Sequence, residues 1–268
     1  MGKTRVRATP KKRDAWIKDF LEKEAKGEYE PFYRTQDVTS SGIKARVPCP
    51  NSPGRVYHTL STNETFKLIE LLHDPLVIDI KEQYPVVDVK KSEAFAKEMK
   101  IKHPRLVWSA TNSVITWDFL CTMSAGPKRV IIVKPSSQLE DERTKEKVEL
   151  EMALAISCGY EVCIVTDKDV KTVAVKNIFR VLRGANLASE LTLLYPKWKL
   201  CFFELVRKDL YVPINEHIEQ ASVLLGINYV DSFKLMQRGF WIRDLSSDPN
   251  VALRPEYSAY YLGMNVNA

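Results

Sequence analysis

The stretch VITWDFLCTMSAGPKRVIIVKPSS, residues 114–137, sets one carboxylate and one ammonium inside otherwise apolar chain. Two apolar runs flank a turn at Gly126-Pro127. One carries Asp118 and the other Lys134, each where a buried strand ordinarily takes an apolar residue. Paired strands bring the middle of one opposite the middle of the next, so both side chains can converge on one face. A carboxylate placed there can hold Mg²⁺, a hard cation that takes oxygen ligands and keeps several waters. A nearby ammonium can orient a metal-bound water or stabilise charge growing on a phosphate. Together these meet the needs of phosphodiester hydrolysis. The competing reading is an ordinary ion pair across a hairpin, and the hairpin alone does not separate the two.

The elements around this hairpin supply further acids. In STNETFKLIELLHD, Ser61 followed by Glu64 matches a capping box, and Leu68, Ile69, Leu71 and Leu72 give a helical apolar face. Glu64 lies one and two helical steps before Leu68 and Leu72, so it heads a core-facing stripe as well as capping the helix. PLVIDIKEQYPVV alternates from Val77 onward and reads as a strand with Ile78, Ile80, Glu82 and Tyr84 on one face. Glu82 is thus a further candidate for an acidic pocket, or else an edge-strand charge. Residues 93–100 read as a short helix, and residues 31–57 as irregular chain with short extended pieces. EDERTKEKVELEMALAISCGY is an amphipathic helix ending near Gly159, followed by the apolar strand EVCIVTDKD. A right-handed crossover would lay that strand parallel to the one at 130–134. The first part of the chain therefore predicts an α/β fold, a mixed sheet flanked by helices.

Past residue 169 the pattern changes. Helices are predicted near 172–183 and 186–194. Another carries Ile214, Ile218, Ala221 and Leu225 and is closed by Gly226. A further helix with Tyr229, Phe233 and Met236 stops at Gly239 and runs into a strand, FWIRDL. Two helices about a tight turn followed by a strand suggest an α+β winged-helix domain. The expected division is residues 1–169, a basic arm and catalytic domain, and residues 170–268, a winged-helix-type domain. The last helix offers only a weakly basic face (Asp231, Ser232, Lys234, Gln237, Arg238). Phe202, Phe203, Phe240, Trp241, Tyr257, Tyr260 and Tyr261 add an aromatic load that suits protein docking as well as DNA reading.

Composition narrows the class. The net charge of +6 is unevenly placed, with Lys3, Arg5, Arg7, Lys11, Lys12, Arg13 and Lys18 offset nearby only by Asp14 and Asp19. Such an arm suits a polyanion through counterion release, or is a solvated tail. Cys49, Cys121, Cys158, Cys163 and Cys201 form no CxxC pair, which argues against a disulfide framework or zinc site and for a reducing cytoplasm. No apolar run is long enough to span a membrane. MGKT at the start lacks the strand and first glycine of a phosphate loop, and Val6 spoils a myristoylation signal. His103 and His58 are either phosphate contacts or structural, and Arg55, Lys44 and Arg46 either phosphate contacts or solvated.

Six segments, GRVYHTLSTNE, DIKEQYP, IKHP, TWDFL, IVKP and DERTKEKVELE, occur in an order and at spacings that resemble the TnsA family. These are endonuclease subunits of heteromeric cut-and-paste transposases. The resemblance covers roughly residues 28–168 and continues more weakly to the end. It implies a restriction-endonuclease-like domain followed by a winged helix. It implies that Glu64 and Asp118 bind catalytic Mg²⁺, with Mn²⁺ substituting, and that Lys134 is the active-site lysine. The Val133 carbonyl is a further candidate ligand. The family places a glutamine or an acid two positions before the lysine, whereas this chain has Ile132, which has no oxygen to offer. The implied activity is cleavage of the non-transferred strand at a transposon's 5′ ends during excision. The implied partners are double-stranded DNA at those ends, a DDE-type transposase subunit and an AAA+ transposition regulator. The implied location is the bacterial cytoplasm, at the nucleoid when DNA-bound. Two other readings stay open: a weakly active scaffold coupling transposase to regulator, and a stand-alone restriction-type or junction nuclease.

Overall fold

A computed structural model of the protein describes residues 9–38, 42–50, 52, 54–106 and 109–265. The chain divides into two units, Met1–Val170 and Lys171–Ala268. Helix α1 (Pro10–Ala25) starts where the Thr9 side chain accepts from the Lys12 N–H and proline occupies the first helical position. It carries Lys11, Lys12, Arg13 and Lys18 of the basic arm, while Lys3, Arg5 and Arg7 lie outside the described residues. Phe20 anchors α1 in a cluster with Phe32, Val89 and Val114. The extended pieces expected within 31–57 are an antiparallel pair, β1 (Ala45–Pro48) and β2 (Val56–Thr59). Helix α2 (Thr62–His73) follows, capped by Ser61, with Leu68, Ile69 and Leu71 buried.

The sheet that positions the chemistry then forms in chain order. Strand β3 (Val77–Pro85) precedes helix α3 (Val89–Glu98), then β4 (Thr116–Met123), β5 (Arg129–Val133), helix α4 (Glu142–Ile156) and β6 (Glu161–Val165). The spatial order is β3-β4-β5-β6, with the first two pairings antiparallel and the last parallel. Val130 to Val133 of β5 are all buried, as a strand covered on both faces requires. Val148, Leu150, Leu154 and Ala155 of α4 share a core with Leu120, Val130 and Ile132. Two local expectations are corrected. Helix α3 begins at Val89 rather than 93, because Asp88 accepts from the Lys91 N–H and caps it there. Ile78 is 65% exposed rather than sharing the buried face of Ile80 and Glu82, because the register shifts between Val77 and Asp79. A short helix, α5 (Asp167–Val170), closes the unit.

The second unit is helical: α6 (Val173–Val181), a 3-10 turn at Leu182–Ala185, α7 (Ser189–Lys208), α8 (Ile214–Leu225) and α9 (Tyr229–Trp241). Trp198, Phe202, Ile214, Ile218 and Leu235 are fully enclosed in its core. The Trp198 indole N–H donates to Ser232 Oγ, which donates to the Ile218 carbonyl, so these two buried side chains are paired. Gly226 ends α8 in the left-handed conformation, as its position predicts. The helix expected at 186–194 instead runs to Lys208 past Pro196, because Tyr195, Trp198, Phe202 and Val206 continue its buried stripe. FWIRDL is not a strand. Phe240 and Trp241 complete α9, and Gly239 serves close packing, since a Cβ there would lie 2.6 Å from Leu245 Cδ1. Among the described residues of this unit the β pairing consists of two isolated bridges, Pro213–Ser258 and Ser246–Asn265, so the wing strand of a winged helix is not formed.

Gly184 is a second close approach, in which a Cβ would run into the backbone of Gln237 and Arg238. Gly184→Ala is therefore expected to lower stability by about 1–3 kcal/mol through overpacking. Thermal unfolding checks this, and an unchanged Tm would show that the turn shifts freely.

Candidate active site

Asp118 stands mid-strand in β4, and its Oδ2 accepts the Val133 N–H of β5 at 2.7 Å. That bond fixes the carboxylate against the neighbouring strand. Lys134 follows directly, with Nζ 3.5 Å from Asp118 Oδ2 and 3.6 Å from Oε2 of Glu151 on α4. The acid and the base of the opening hairpin thus converge. Glu64 arrives from the first turn of α2. Its N–H donates to Ser61 Oγ at 3.2 Å, while its Oε1 accepts the Ser61 hydroxyl and its Oε2 the Leu60 N–H, both at 2.8 Å. The cap and the site-facing orientation are therefore one conformation of one side chain.

Gln83 joins the two carboxylates. Its Nε2 donates to Glu64 Oε2 and to Asp118 Oδ1, 3.4 Å from each, while its Oε1 accepts from Thr116 Oγ at 3.1 Å. Gln83 has φ +49°, a left-handed conformation uncommon outside glycine, two residues before the end of β3. Together, Glu64, Gln83, Asp118, the Val133 peptide, Lys134 and Glu151 come from α2, β3, β4, β5 and α4.

Burial, and then the charge of Asp118, push the Glu64 carboxyl up to about 7. Burial likewise raises Glu151 to about 7, although Lys134 pulls it down. For Lys134 burial acts to lower the value, but Asp118, Glu151 and Glu64 outweigh it and hold the ammonium above its ordinary range. The lysine is thus charged at neutrality, beside acids that titrate near neutrality.

Glu82 does not belong to this group. It lies next to Gln83 on the strand and turns the other way, with Oε2 3.0 Å from Arg55 Nη2 and Oε1 accepting the His58 N–H at 3.2 Å. The other sequence candidates have internal partners. Arg55 also donates to the Ile80 carbonyl and lies over the Tyr57 ring. Lys44 donates to the Thr35 and Val38 carbonyls, and Arg46 to Thr35 and Gln36. His58 Nδ1 accepts from the Thr35 N–H, and His103 bridges Ser92 and Pro104. Ile132 is fully buried among the apolar residues under α4, so that position serves the core.

Gln83 and Glu151 were not among the sequence candidates. Glu151 left a signal, because it stands three residues from both Val148 and Leu154 and so interrupts the buried stripe of α4. Gln83 left little, since a neutral residue in a strand breaks no charge pattern.

Among the described residues no group of three or more His, Cys, Asp or Glu side chains could hold a metal ion. What converges is leaner: two carboxylates, an amide and the Val133 peptide, whose carbonyl points to the same strand edge as its N–H. Each of these groups carries an oxygen. A set with one or two carboxylates fits Mg²⁺, which is seldom held in an all-protein cage.

An acid on one strand and a lysine on the next, in a mixed sheet flanked by helices, fit a restriction-endonuclease-like fold. Residues 74–167 match the family described as TnsA-like endonuclease N terminal. The chain is also 36% identical over 153 residues to the transposon Tn7 transposition protein TnsA of Escherichia coli, an overlap that covers 56% of this chain and 55% of that protein. The two matches show what the chain is similar to, over residues 74–167 for the first and just over half of the chain for the second. The chain spans about half the length of the curated relative it matches. The segment 74–167 contains Gln83, Asp118, Lys134 and Glu151, whereas Glu64 precedes it.

Proposed function

We propose that the chain is a Mg²⁺-dependent DNA endonuclease subunit of a transposase, cleaving the non-transferred strand at the 5′ ends of a transposon during excision. The observation that carries this reading is the convergence of Glu64, Asp118 and Lys134 from three separate elements, in a chain similar to a transposition protein. Glu64, Asp118 and the Val133 carbonyl would hold Mg²⁺, with Mn²⁺ able to substitute. When bound, the ion supplies charge neutralisation at the scissile phosphate and activation of the attacking water.

The remaining work falls to the chain. The Val133 N–H holds Asp118 Oδ2, which leaves Oδ1 directed at the pocket occupied by the Gln83 amide. Glu151 draws Lys134 away from a single close pairing with Asp118, so the ammonium remains available to a phosphate oxygen. Hydrolysis forms a bond from water oxygen to phosphorus and breaks the phosphorus–O3′ bond, leaving a 3′-hydroxyl and a 5′-phosphate. Double-stranded DNA at the transposon ends and a DDE-type transposase are the partners in this reading, with an AAA+ regulator meeting the second unit. The α8–α9 helix pair is a surface for such contacts. The setting is the cytoplasm, in keeping with the absence, among the described residues, of a helix long and apolar enough to cross a membrane.

The test is nicking of end-containing DNA with partner proteins in Mg²⁺ or Mn²⁺. Asp118→Asn keeps the shape and an acceptor for the Val133 N–H but loses the charge. It is expected to lower nicking by more than about 100-fold, beyond the loss typical of an outer-shell change. Equal background from the variant and the natural chain would end the reading. The scaffold reading draws on one observation, that Ile132 adds no oxygen to the site. Metal binding by the isolated chain that disappears in Asp118→Asn would decide against a scaffold whose site has decayed.

A further inference from the structure

Position 132 has no oxygen to offer, but a buried side chain two strands away, on the far side of β4, does. We infer that the Gln83 carboxamide is a metal-site group: its N–H₂ holds Glu64 and Asp118 together in the metal-free protein, and its Oε1 turns in as a neutral oxygen ligand when a divalent cation binds. This deepens the nuclease reading above and rests on it.

Three observations carry the inference. First, the amide lies between the two acids, with Nε2 3.4 Å from Glu64 Oε2 and 3.4 Å from Asp118 Oδ1. An ionised carboxylate only accepts, so two of them facing one amide fix its N–H₂ inward while no cation is present. Second, the third contact of the amide is a hydroxyl, with Oε1 3.1 Å from Thr116 Oγ. A hydroxyl both donates and accepts, so it serves either face of the amide. Rotating the terminal bond by half a turn presents Oε1 to the carboxylates and N–H₂ to Thr116, and that torsion is broad and two-fold in its preferences. A cation between the acids would repel N–H₂ and attract Oε1, so the occupant of the pocket selects the orientation. Third, the backbone at this position is held at some cost. Gln83 is 3% exposed and sits at φ +49°, where a non-glycine residue is strained, and its carbonyl accepts the Phe32 N–H at 3.3 Å.

A ligand in this place also lets the core take Ile132. A neutral oxygen from β3 reaches the same two carboxylates from the far side of Asp118, leaving β5 free to pack under α4. Because Gln83 already bonds to both carboxylates, its amide stands where a ligand shared with them must lie.

The experiment is Mn²⁺ titration of the DNA-free full chain by electron paramagnetic resonance, together with the Tm shift that Mn²⁺ produces. Gln83→Met removes the amide at similar volume. Gln83→Gly also removes it but suits the positive φ, so it tests the amide without risk to the backbone. Both are expected to weaken Mn²⁺ binding about 10- to 100-fold. Gln83→Glu supplies an ionised oxygen and is expected to bind Mn²⁺ more tightly than the natural chain, with a lower Tm before metal and a larger Mn²⁺-induced rise. Methionine and glycine variants that bind Mn²⁺ like the natural chain would overturn the role of Gln83 alone. A glutamate variant that binds as weakly as methionine would overturn its role as ligand. Mn²⁺ binding that is absent, or indifferent to Asp118→Asn, would overturn the nuclease reading and this inference with it.

Discussion

Lys134→Met is expected to abolish nicking and to destabilise the fold, while a second change, Glu151→Gln, restores part of the stability and none of the nicking. Lys134 faces Asp118 at 3.5 Å and Glu151 at 3.6 Å, and its charge also acts on Glu64. Removing one partner of a buried ion pair costs about 3–5 kcal/mol, because the other charge is left without compensation. The Lys134 side chain is 21% exposed, which places the loss toward the lower end, about 3 kcal/mol. Glu151 depends on Lys134 to an unusual degree. Its Oε2 is buried with no hydrogen-bond partner, so the ammonium is its compensation. Neutralising Glu151 in the Lys134→Met background removes that stranded charge. Nicking stays lost because nothing positive remains to meet the phosphate. Urea unfolding and a nicking assay on both variants check the pair. A double variant as unstable as the single one would sink the ion-pair account, and a nicking-competent Lys134→Met would sink the catalytic one.

The second large effect is a fall in the stability of the metal-free protein as pH rises from about 4.5 to about 7, of which Mg²⁺ offsets the part due to Glu64. Glu64, Glu82 and Glu151 are each raised from 4.5 to about 7, chiefly by burial. In that window the folded chain keeps protons that the unfolded chain has released, so stability declines with pH. The contribution is complete below the unfolded value, is lost as pH climbs through the folded one, and is flat above it. Each shift corresponds at most to about 3 kcal/mol, and Glu64 and Glu151 do not simply add, because both interact with Asp118 and Lys134. Carboxylates lowered by a partner, such as Glu30 beside Lys23, act in the opposite sense but below this window. A cation requires Glu64 ionised, so Mn²⁺ affinity should rise up to about tenfold per pH unit until about pH 7. Glu82, bonded to Arg55 away from the site, continues to titrate with metal present. Melting curves from pH 4.5 to 8 with chelator and with Mg²⁺ test this. A chelated Tm that does not fall across the window would refute it.

Much of this site was legible in the residues themselves. Asp118 and Lys134 stand out as charges in apolar strands, and Glu64 as an acid at the head of an apolar helical stripe. The structure places all three together, as their patterns predict. Glu82 obeyed the same logic and misled, because alternation says which face a residue takes but not what covers that face. Here it is the β1–β2 hairpin with Arg55. Gln83 was hidden because its place in the site depends on cross-strand register and a positive φ, and neither leaves a mark in a list of residue types. In the second unit Gly239 was read as a helix end, whereas its smallness answers a neighbour, Leu245, that lies close only once the chain has folded. The helix expected at 186–194 was too short for a similar reason, since the packing of Trp198 and Phe202 carries α7 on to Lys208.

Glu64 carries two duties in one carboxylate, starting α2 and facing the site. The consequence concerns how variants are interpreted. An inactive Glu64→Ala variant reports a frayed helix start and a lost site-facing carboxylate in a single readout, and only Glu64→Gln, which still suits a capping box, separates them. Asp118 accepts the Val133 N–H and starts no helix, so an amide in its place leaves the helices alone, although it also ends the pairing with Lys134 and disturbs the bond from Gln83. Genetics at these two positions will therefore give different kinds of answer, and Asp118 is the one whose variants leave a helix start intact.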